Sequence, residues 1–361
     1  MKKKLIVITF LSVVMITSIL LVGVLGYATY GHIDESYDYN YGVSGNEIEE
    51  ITLDTDICDV EIKYNETIMP TNISMMIGLE IHLEGIFMEG KSYNDYFEPL
   101  KTVNNSLTKS LILRTRPNVW YNPSFWFTKG NIKLIATLRT DLKYNITTMV
   151  STGNINLITT ENQTFDNIYM STSTGNINIF SSGSKFIEDV VISTSTGSIM
   201  INSENTDFLE DINIGSSTGN IFCTQNNGAF GGNVQISVLT GNIHFELNNL
   251  TNYDNNIWDI ATLTGNINIL IDQNMDLEGN IQGNIGTSTG NIRVNYYDNN
   301  SKISGRFIGS VSTGNIAYTN NNGFIQENNS FRSLDFPTAQ FSYDFILHTN
   351  TGNILIIGSS S

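Results

Sequence analysis

Cysteine and positive charge are scarce in this chain of 361 residues. Its two cysteines, Cys58 and Cys223, are too few for a disulfide framework or a cysteine-rich metal site. The 18 Lys and Arg residues are outnumbered by 35 Asp and Glu residues, and the formal net charge is −17. Binding to nucleic acid needs clustered basic side chains, so we expect no nucleic-acid partner.

Histidine is scarce as well, and the sequence contains no nucleophile motif. The four histidines fall at no metal-ligand or catalytic-triad spacing, so we predict no catalytic residue, no metal site and no cofactor. One acidic set stands eight or nine positions before the repeated glycines described below, where it could gather Ca²⁺ or form a solvated turn. The histidines are His32, His82, His244 and His348, and the acidic set is Asp166, Glu188, Asp189, Glu210 and Asp211.

Hydrophobic residues make up 40% of the chain, which is enough for a sizeable folded core. The N-terminal segment 1–4 carries three lysines and precedes an uncharged, mainly apolar run over residues 5–30. That run is longer than the roughly 20 residues needed to cross a bilayer, whereas the apolar part of a cleaved signal peptide is typically about 7 to 15 residues. We therefore predict a cytoplasmic tail, an uncleaved transmembrane helix and an extracellular C-terminal domain, with the signal peptide as the alternative.

The region between this apolar run and the repeats divides into two parts. Residues 31–49 are polar, acidic and rich in tyrosine, which predicts a stalk. Residues 50–147 are expected to form an N-terminal cap with a degenerate first rung, in which Cys58 takes the place of the repeated glycine. Ser92 and Asp95 match a helix-capping pattern, so a short helix is predicted over Ser92–Val103.

A short motif, Ser-Thr-Gly-Asn-Ile, recurs through the rest of the chain, residues 148–361. Its glycines are mostly 22 to 25 residues apart, with a last spacing of 38 that indicates an insertion over residues 318–343. Such a period is typical of a solenoid, in which each unit buries its apolar face against its neighbours. The repeated glycines are Gly153, Gly175, Gly197, Gly219, Gly241, Gly265, Gly290, Gly314 and Gly352.

Residues around each glycine alternate as in a β-strand. The second residue after it is isoleucine in all nine copies, and the apolar parity changes across the glycine, so the chain is expected to turn a corner there. We predict that the threonine before each glycine, as in Thr174, faces the core, which argues against a flat hydroxyl array that binds ice or a crystalline polymer. Large apolar residues eleven positions before the glycine, such as Phe186 and Phe208, should fill another corner.

Asparagine follows the glycine in eight of nine copies, with Ser198 as the exception. Stacked at the strand spacing of about 4.8 Å, these amides can form a hydrogen-bonded ladder, where a column of carboxylates would repel. Asparagine also suits a turn, and both interpretations are structural. The residues are Asn154, Asn176, Asn220, Asn242, Asn266, Asn291, Asn315 and Asn353.

The insertion after Ile316 is one candidate ligand contact, because irregular loops on a rigid scaffold usually carry binding, and the other is an aromatic cluster over residues 120–127. It contains Trp120, Tyr121, Phe125 and Trp126. Aromatic side chains of this kind can bind carbohydrate or a membrane surface, and they can equally fold over the cap as structural residues.

The rung motif, the strand at 55–62 and the strand at 132–142 resemble the adhesin domains of cell-envelope proteins, including the head-GIN type. The resemblance implies an all-β fold: a right-handed parallel β-helix of nine or ten rungs at the cell surface, and it supplies no catalytic residues. We expect a non-enzymatic adhesin-like, scaffold or envelope-sensing protein on a membrane anchor, with a surface glycan or another envelope protein as partner. The alternative is a β-helix lyase or hydrolase that acts on polysaccharides.

Overall fold

The computed structural model describes residues 14–15, 30–64, 70–105, 108–119, 128–300, 302–336 and 338–360. Most of these residues lie in strands that stack in parallel as a solenoid. The predicted cytoplasmic tail and nearly all of the predicted transmembrane helix fall outside the described residues. Within them, no helix is both long and apolar enough to span a bilayer.

Each rung contributes one strand before its glycine and one after it, and we name a rung by that glycine. Strands after the glycine form sheet A: β9 (Ile155–Ile158), β11 (Ile177–Ser182), β14 (Ile199–Glu204), β17 (Ile221–Asn226), β20 (Ile243–Asn248), β23 (Ile267–Gln273), β25 (Ile292–Asp298), β27 (Ile316–Asn322) and β31 (Ile354–Ser360). Strands before it form sheet B: β8 (Lys143–Thr152), β10 (Thr164–Thr174), β13 (Val190–Thr196), β16 (Ile212–Thr218), β19 (Val234–Thr240), β22 (Asn256–Thr264), β24 (Ile281–Thr289), β26 (Ile303–Thr313) and β30 (Phe341–Thr351).

The remaining elements are short strands between the sheets and the pieces that close the two ends. The short strands are β12 (Lys185–Phe186), β15 (Asp207–Phe208), β18 (Ala229–Phe230) and β21 (Thr251–Asn252). The N-terminal end is built from β1 (Tyr30–Gly42), β2 (Ile48–Ile57), β3 (Asp59–Tyr64), β4 (Ile73–Ile86), α1 (Tyr93–Tyr96), β5 (Lys101–Asn104), β6 (Lys109–Leu113) and β7 (Thr128–Leu138), and the C-terminal end from the hairpin β28 (Phe324–Glu327) and β29 (Ser330–Ser333).

The corner glycines have φ between +140° and +151°, a backbone conformation that residues with a Cβ rarely adopt. Their backbones also stack closely: a Cβ added to Gly175 would lie 1.9 Å from the carbonyl oxygen of Gly153. The repeat therefore requires glycine at this corner for two reasons, backbone conformation and the spacing between rungs.

The interior is filled by columns of identical or similar side chains. The isoleucines two residues after the glycines are buried from Ile155 to Ile292 and at Ile354. At another corner, the rings of Phe165, Phe186 and Phe208 stack with centroids 4.9 and 4.7 Å apart. Because each column runs through several rungs, burial of one rung depends on the rungs on either side.

An asparagine ladder runs along the outside of the glycine corner. The side-chain oxygen of each member accepts the backbone N–H of the next, as from Asn176 to Asn154 (2.9 Å) and from Asn242 to Asn220 (2.9 Å). Ser198 continues the ladder, because its hydroxyl oxygen accepts the N–H of Asn220. Asp59 begins it by accepting the Asn154 N–H at 2.7 Å. The only carboxylate thus occupies the end of the column, where no second carboxylate is adjacent.

The predicted stalk is wrong, because residues 30–42 form β1, which pairs antiparallel with β4 along its whole length. Tyr37, Tyr39 and Tyr41 alternate with Asp38 and Asn40, and only the tyrosines turn towards the interior. This period-2 pattern is a strand signal. Polar residues at every second position make the segment resemble a polar linker in composition.

The predicted helix at Ser92 forms but is shorter than expected. The Ser92 N–H donates to Asp95 at 2.8 Å, as in a capping box, and the helix covers only Tyr93–Tyr96. Pro99 explains the early end, since a proline disfavours helical conformation in the residue before it.

The first rung is built from β2 and β3, with Cys58 between them at the corner. The Cys58 N–H donates to Thr152 O at 3.0 Å, and the Cys58 carbonyl lies directly under Gly153. Strand β3 is covered on its outer side by β7, and β2 by β6. This rung therefore lies one layer inside the N-terminal end.

At the C-terminal end, too, the terminal rung in the sequence lies one layer inside. The spatial order of the last two rungs therefore differs from their order in the sequence. Strand β30 lies between β24 and β26, and β31 lies between β25 and β27. The Gly352 rung is thus inserted between the Gly290 and Gly314 rungs. The sequence insertion contains the β28–β29 hairpin, whose Phe324 and Phe331 are buried against the outermost rung. Part of this insertion therefore acts as a cap.

Cysteine cross-linking tests this order. Thr351 pairs with Thr289 on one side and with Thr313 on the other, and all three side chains are exposed. Adjacent strands are about 4.8 Å apart, within reach of a disulfide, whereas Thr289 and Thr313 are separated by about twice that distance. We expect Thr289→Cys/Thr351→Cys to oxidise readily within one chain.

The matched control is Thr289→Cys/Thr313→Cys, which should cross-link poorly. Cys58 and Cys223 are buried and should not interfere. The reverse result, with the control pair forming the faster disulfide, would show that the rungs follow sequence order.

Candidate binding groove

The threonine before each corner glycine faces solvent, which corrects the prediction that it faces the core. Pairing between strands joins Thr172 to Thr194 and then Thr174 to Thr196, so the residue between them is left out of the register. The strand bends at that residue, so the alternation of inward and outward side chains ends two positions before the glycine. Thr172 is buried and donates to Gly153 O at 3.0 Å, and Thr174 is exposed.

The exposed threonines form an unbroken column along the glycine corner. Within the part of the chain that the structure describes, their hydroxyls bond to no other protein group. All nine positions are threonine: Thr152, Thr174, Thr196, Thr218, Thr240, Thr264, Thr289, Thr351 and Thr313 in rung order. The column therefore presents nine hydroxyls to solvent at the strand spacing of about 4.8 Å.

A groove of about 580 Å³ lies beside this column on the outer face of sheet B. Its floor is low because the residues four positions before the glycines are small, as at Ser171, Ser193 and Gly215. Serines two positions before the glycines line it in the earlier rungs, and the exposed Leu239 and Leu263 replace them further along. The groove crosses six rungs, from the Gly175 rung to the Gly290 rung, so it is suited to an extended ligand.

No charged side chain occurs in the strip of residues that includes the threonine column and the lining of the groove beside it, which we call the neutral strip. Each of the nine blocks from four residues before the glycine to one after it lacks Asp, Glu, Lys and Arg. The blocks hold 54 residues, of which about eight would be charged at the chain's average of 15%. Because most of these side chains are exposed, packing does not explain their neutrality. A chain of net charge −17 thus carries a long neutral surface.

The aromatic cluster predicted from the sequence lies outside the described residues. Trp120, Tyr121, Phe125 and Trp126 therefore keep their status as predicted ligand contacts. Sequence reasoning missed the groove because it assigned the column of Thr174 to the interior. The signal was available in the run of small residues four positions before the glycines.

The other candidate residues do not converge on the groove. His82 and His32 flank Asp34 on the exposed face of strands β1 and β4, at the N-terminal end. His244 lies on sheet A beside Glu246. No group of three or more His, Cys, Asp or Glu residues suited to a metal ion occurs in the described ranges.

The acidic set forms part of an outer turn. Asp211 accepts the Asn233 N–H at 2.8 Å, which extends a second, shorter ladder along that corner. The buried thiols are held protonated: burial raises the pKa of Cys223 to about 12 and also raises the pKa of Cys58. These cysteines are core residues, with little thiolate for nucleophilic chemistry at neutral pH.

A comparison with protein-family models finds no match, and neither does a comparison with curated proteins. Three solved structures align with about 90% of this chain. They are a "putative cell adhesion protein" from Clostridium sporogenes (13% identity, 90% of this chain, 100% of that chain, TM-score 0.22), a "putative lipid binding protein" from Parabacteroides distasonis (14%, 89%, 96%, 0.38) and a "putative adhesin" from Bacteroides fragilis (10%, 90%, 96%, 0.34). With TM-scores below 0.5, these likenesses carry no argument about the role of this chain.

Proposed function

We propose that this chain is a non-enzymatic, adhesin-like binding scaffold whose groove and threonine column contact a neutral, extended glycan. The neutral strip is the observation that carries the proposal. An ionic side chain that is covered by an uncharged partner loses its hydration without gaining a counter-charge, so a neutral ligand is favoured by a surface without charges. Hydroxyl and amide side chains can exchange hydrogen bonds with sugar hydroxyls at little cost.

Display at a cell surface belongs to the same proposal. It is supported by the apolar run over residues 5–30 after Lys2, Lys3 and Lys4. Membership of the head-GIN type and a right-handed coil are likewise proposed from the sequence motif. The enzymatic alternative would need an acid and a base converging on the groove, and the residues that line it are Ser, Thr, Gly, Ala, Val and Leu.

The test is binding of the full chain to insoluble neutral polysaccharides, with cellulose and chitin as probes. Ser217→Lys places a charge in the groove and should weaken binding at least about tenfold, because the ammonium is desolvated without a partner. The matched control is Asn202→Lys, on the exposed face of sheet A. Equal binding by the two variants, or no binding of either polymer by the wild-type chain, would contradict the proposed function.

A further inference from the structure

A second cavity, unrelated to the groove, lies at the N-terminal end between β1 and α1. It has a volume of about 300 Å³ and is lined by Tyr37, Tyr39, Leu79, Tyr93, Asn94, Pro99 and Leu100. Leu79 is fully buried and forms the floor, and the exposed Asn94 and Pro99 stand at the mouth. This volume is at the low end for ligand pockets and suits a small chemical group.

Three of the lining residues are tyrosines, and two of them meet at an angle. The ring centroids of Tyr37 and Tyr93 are 5.9 Å apart, with 56° between the ring planes. Phe97 stacks on Tyr93 at 5.1 Å and 11°, which fixes the orientation of that ring. Tyr39 follows Tyr37 on the same side of β1. The cavity is thus walled by rings held in place by the cap.

A carboxylate holds this arrangement together. Glu35 accepts a hydrogen bond from the Tyr37 hydroxyl and another from the Tyr93 N–H at 3.1 Å. The Glu35 contact raises the pKa of Tyr37 to about 12, so the phenol remains protonated. Donation to a carboxylate also increases the electron density of the Tyr37 ring, which strengthens its attraction for a cation. Among the described residues, no Lys or Arg lines the cavity.

The hydroxyls of two rings are already occupied. Tyr37 donates to Glu35, and Tyr93 donates to the Glu98 carbonyl at 3.2 Å. A sugar bound here would leave several of its hydroxyls without partners, which is unfavourable. A quaternary ammonium group requires no hydrogen bond and is attracted to aromatic faces.

We propose that Tyr37, Tyr39 and Tyr93, backed by Glu35, form an aromatic cage that binds a quaternary ammonium group of the choline type. The cage is formed by β1, β4 and α1, on elements separate from the groove. It therefore does not depend on the proposed glycan function. Free choline and a choline-bearing lipid headgroup share this chemistry, and the experiment separates them.

The test is titration of the full chain with tetramethylammonium, choline and 3,3-dimethylbutan-1-ol, a neutral analogue of choline with the same shape. Ligand-detected NMR or calorimetry should show saturable binding of both cations, with the neutral analogue at least about tenfold weaker. Equal affinity for choline and its neutral analogue would overturn the proposal, as would the absence of saturable choline binding. These measurements use the wild-type chain, so misfolding cannot obscure the result.

Variants locate the site. Tyr37→Leu should reduce choline affinity at least about tenfold, and Glu35→Gln should reduce it while the rings stay in place. The matched control is Tyr169→Leu, which removes a partly exposed tyrosine on sheet B and should have no effect. If Tyr37→Leu lowers the melting temperature, the Glu35→Gln result decides, and unchanged choline affinity in that variant would overturn the role of the carboxylate. Phosphatidylcholine vesicles form the last arm: binding to them identifies a lipid headgroup, and binding to free choline alone identifies a soluble ligand.

Discussion

Gly241→Ala should destabilise the solenoid severely, by about 4 kcal/mol or more in the free energy of unfolding. Gly241 has φ +151°, and an added Cβ would lie 1.8 Å from Gly219 O and 2.6 Å from Gly219 C. Both atoms belong to the backbone of the adjacent Gly219 rung, so they cannot rotate away as the end of a side chain could. The rungs would have to separate, which breaks the ladder bond from Asn242 to Asn220.

Gly286→Ala is the matched control, since it makes the same chemical change within strand β24 of sheet B, away from the corner. Its φ is not positive, and the nearest atom to an added Cβ, His348 O, is 3.8 Å away. The expected change is below about 1 kcal/mol. Because repeat proteins can unfold in parts, urea unfolding should be combined with hydrogen exchange of the Asn242 and Ile243 amides. Similar losses in the two variants would show that the corner is not sterically restricted.

The repeated part of the fold could be predicted because the same residues recur at one spacing. The corner glycine, the buried isoleucine and the asparagine column each follow from the identity of one residue per rung and its alternation with its neighbours. The groove could not be predicted in the same way. Its position depends on the bend at Ser173, which leaves that residue out of the strand register and turns Thr174 outward.

The order of the last two rungs could not be predicted from the motif, because both rungs carry Thr-Gly-Asn-Ile. Either order would satisfy the glycine corner and the ladder. The difference lies in the volume of the interior side chains. Strand β30 contributes the buried Tyr343 and Leu347, whereas β26 has Gly305 and Gly309 at the paired positions. A Cβ at Gly305 would lie 3.0 Å from the Tyr296 ring. The Gly314 rung therefore has room only for small residues at this position, where the end cap packs against it.

The N-terminal cap was the least predictable region, because its contacts join segments that are distant in sequence. Strand β1 pairs with β4 some 40 residues away, and the cage depends on that pairing together with α1. Tyr37 and Tyr39 appear in the sequence only as part of an acidic, tyrosine-rich stretch. The structure places β1 at the edge of sheet A and shows that the side chains of Tyr37 and Tyr39 lie on the same face of this strand.

Lys109→Met should destabilise the N-terminal end by about 3 to 5 kcal/mol, because it leaves the Glu49 carboxylate buried without a counter-charge. Lys109 and Glu49 form an ion pair beneath the cap, with side chains 1% and 0% exposed. Glu49 also accepts the Ser44 N–H at 2.8 Å and the Ser44 hydroxyl at 3.0 Å. These bonds fix the carboxylate in place, so it cannot turn towards solvent when the ammonium is removed.

Lys143→Met is the matched control, since Lys143 pairs with Glu47 at 2.8 Å on the surface with side chains 40% and 80% exposed. Water can solvate Glu47 after the change, so the loss should be much smaller. The double variant Glu49→Met/Lys109→Met removes both buried charges and should regain most of the stability, because apolar side chains of similar volume often replace a buried ion pair without loss. Urea unfolding of the wild type, Lys109→Met, Glu49→Met and the double variant forms a double-mutant cycle for the buried pair, and Lys143→Met is measured beside it as the surface control. If the double variant were as unstable as Lys109→Met, the cost would come from packing around Lys109, and the charge-burial argument would fail.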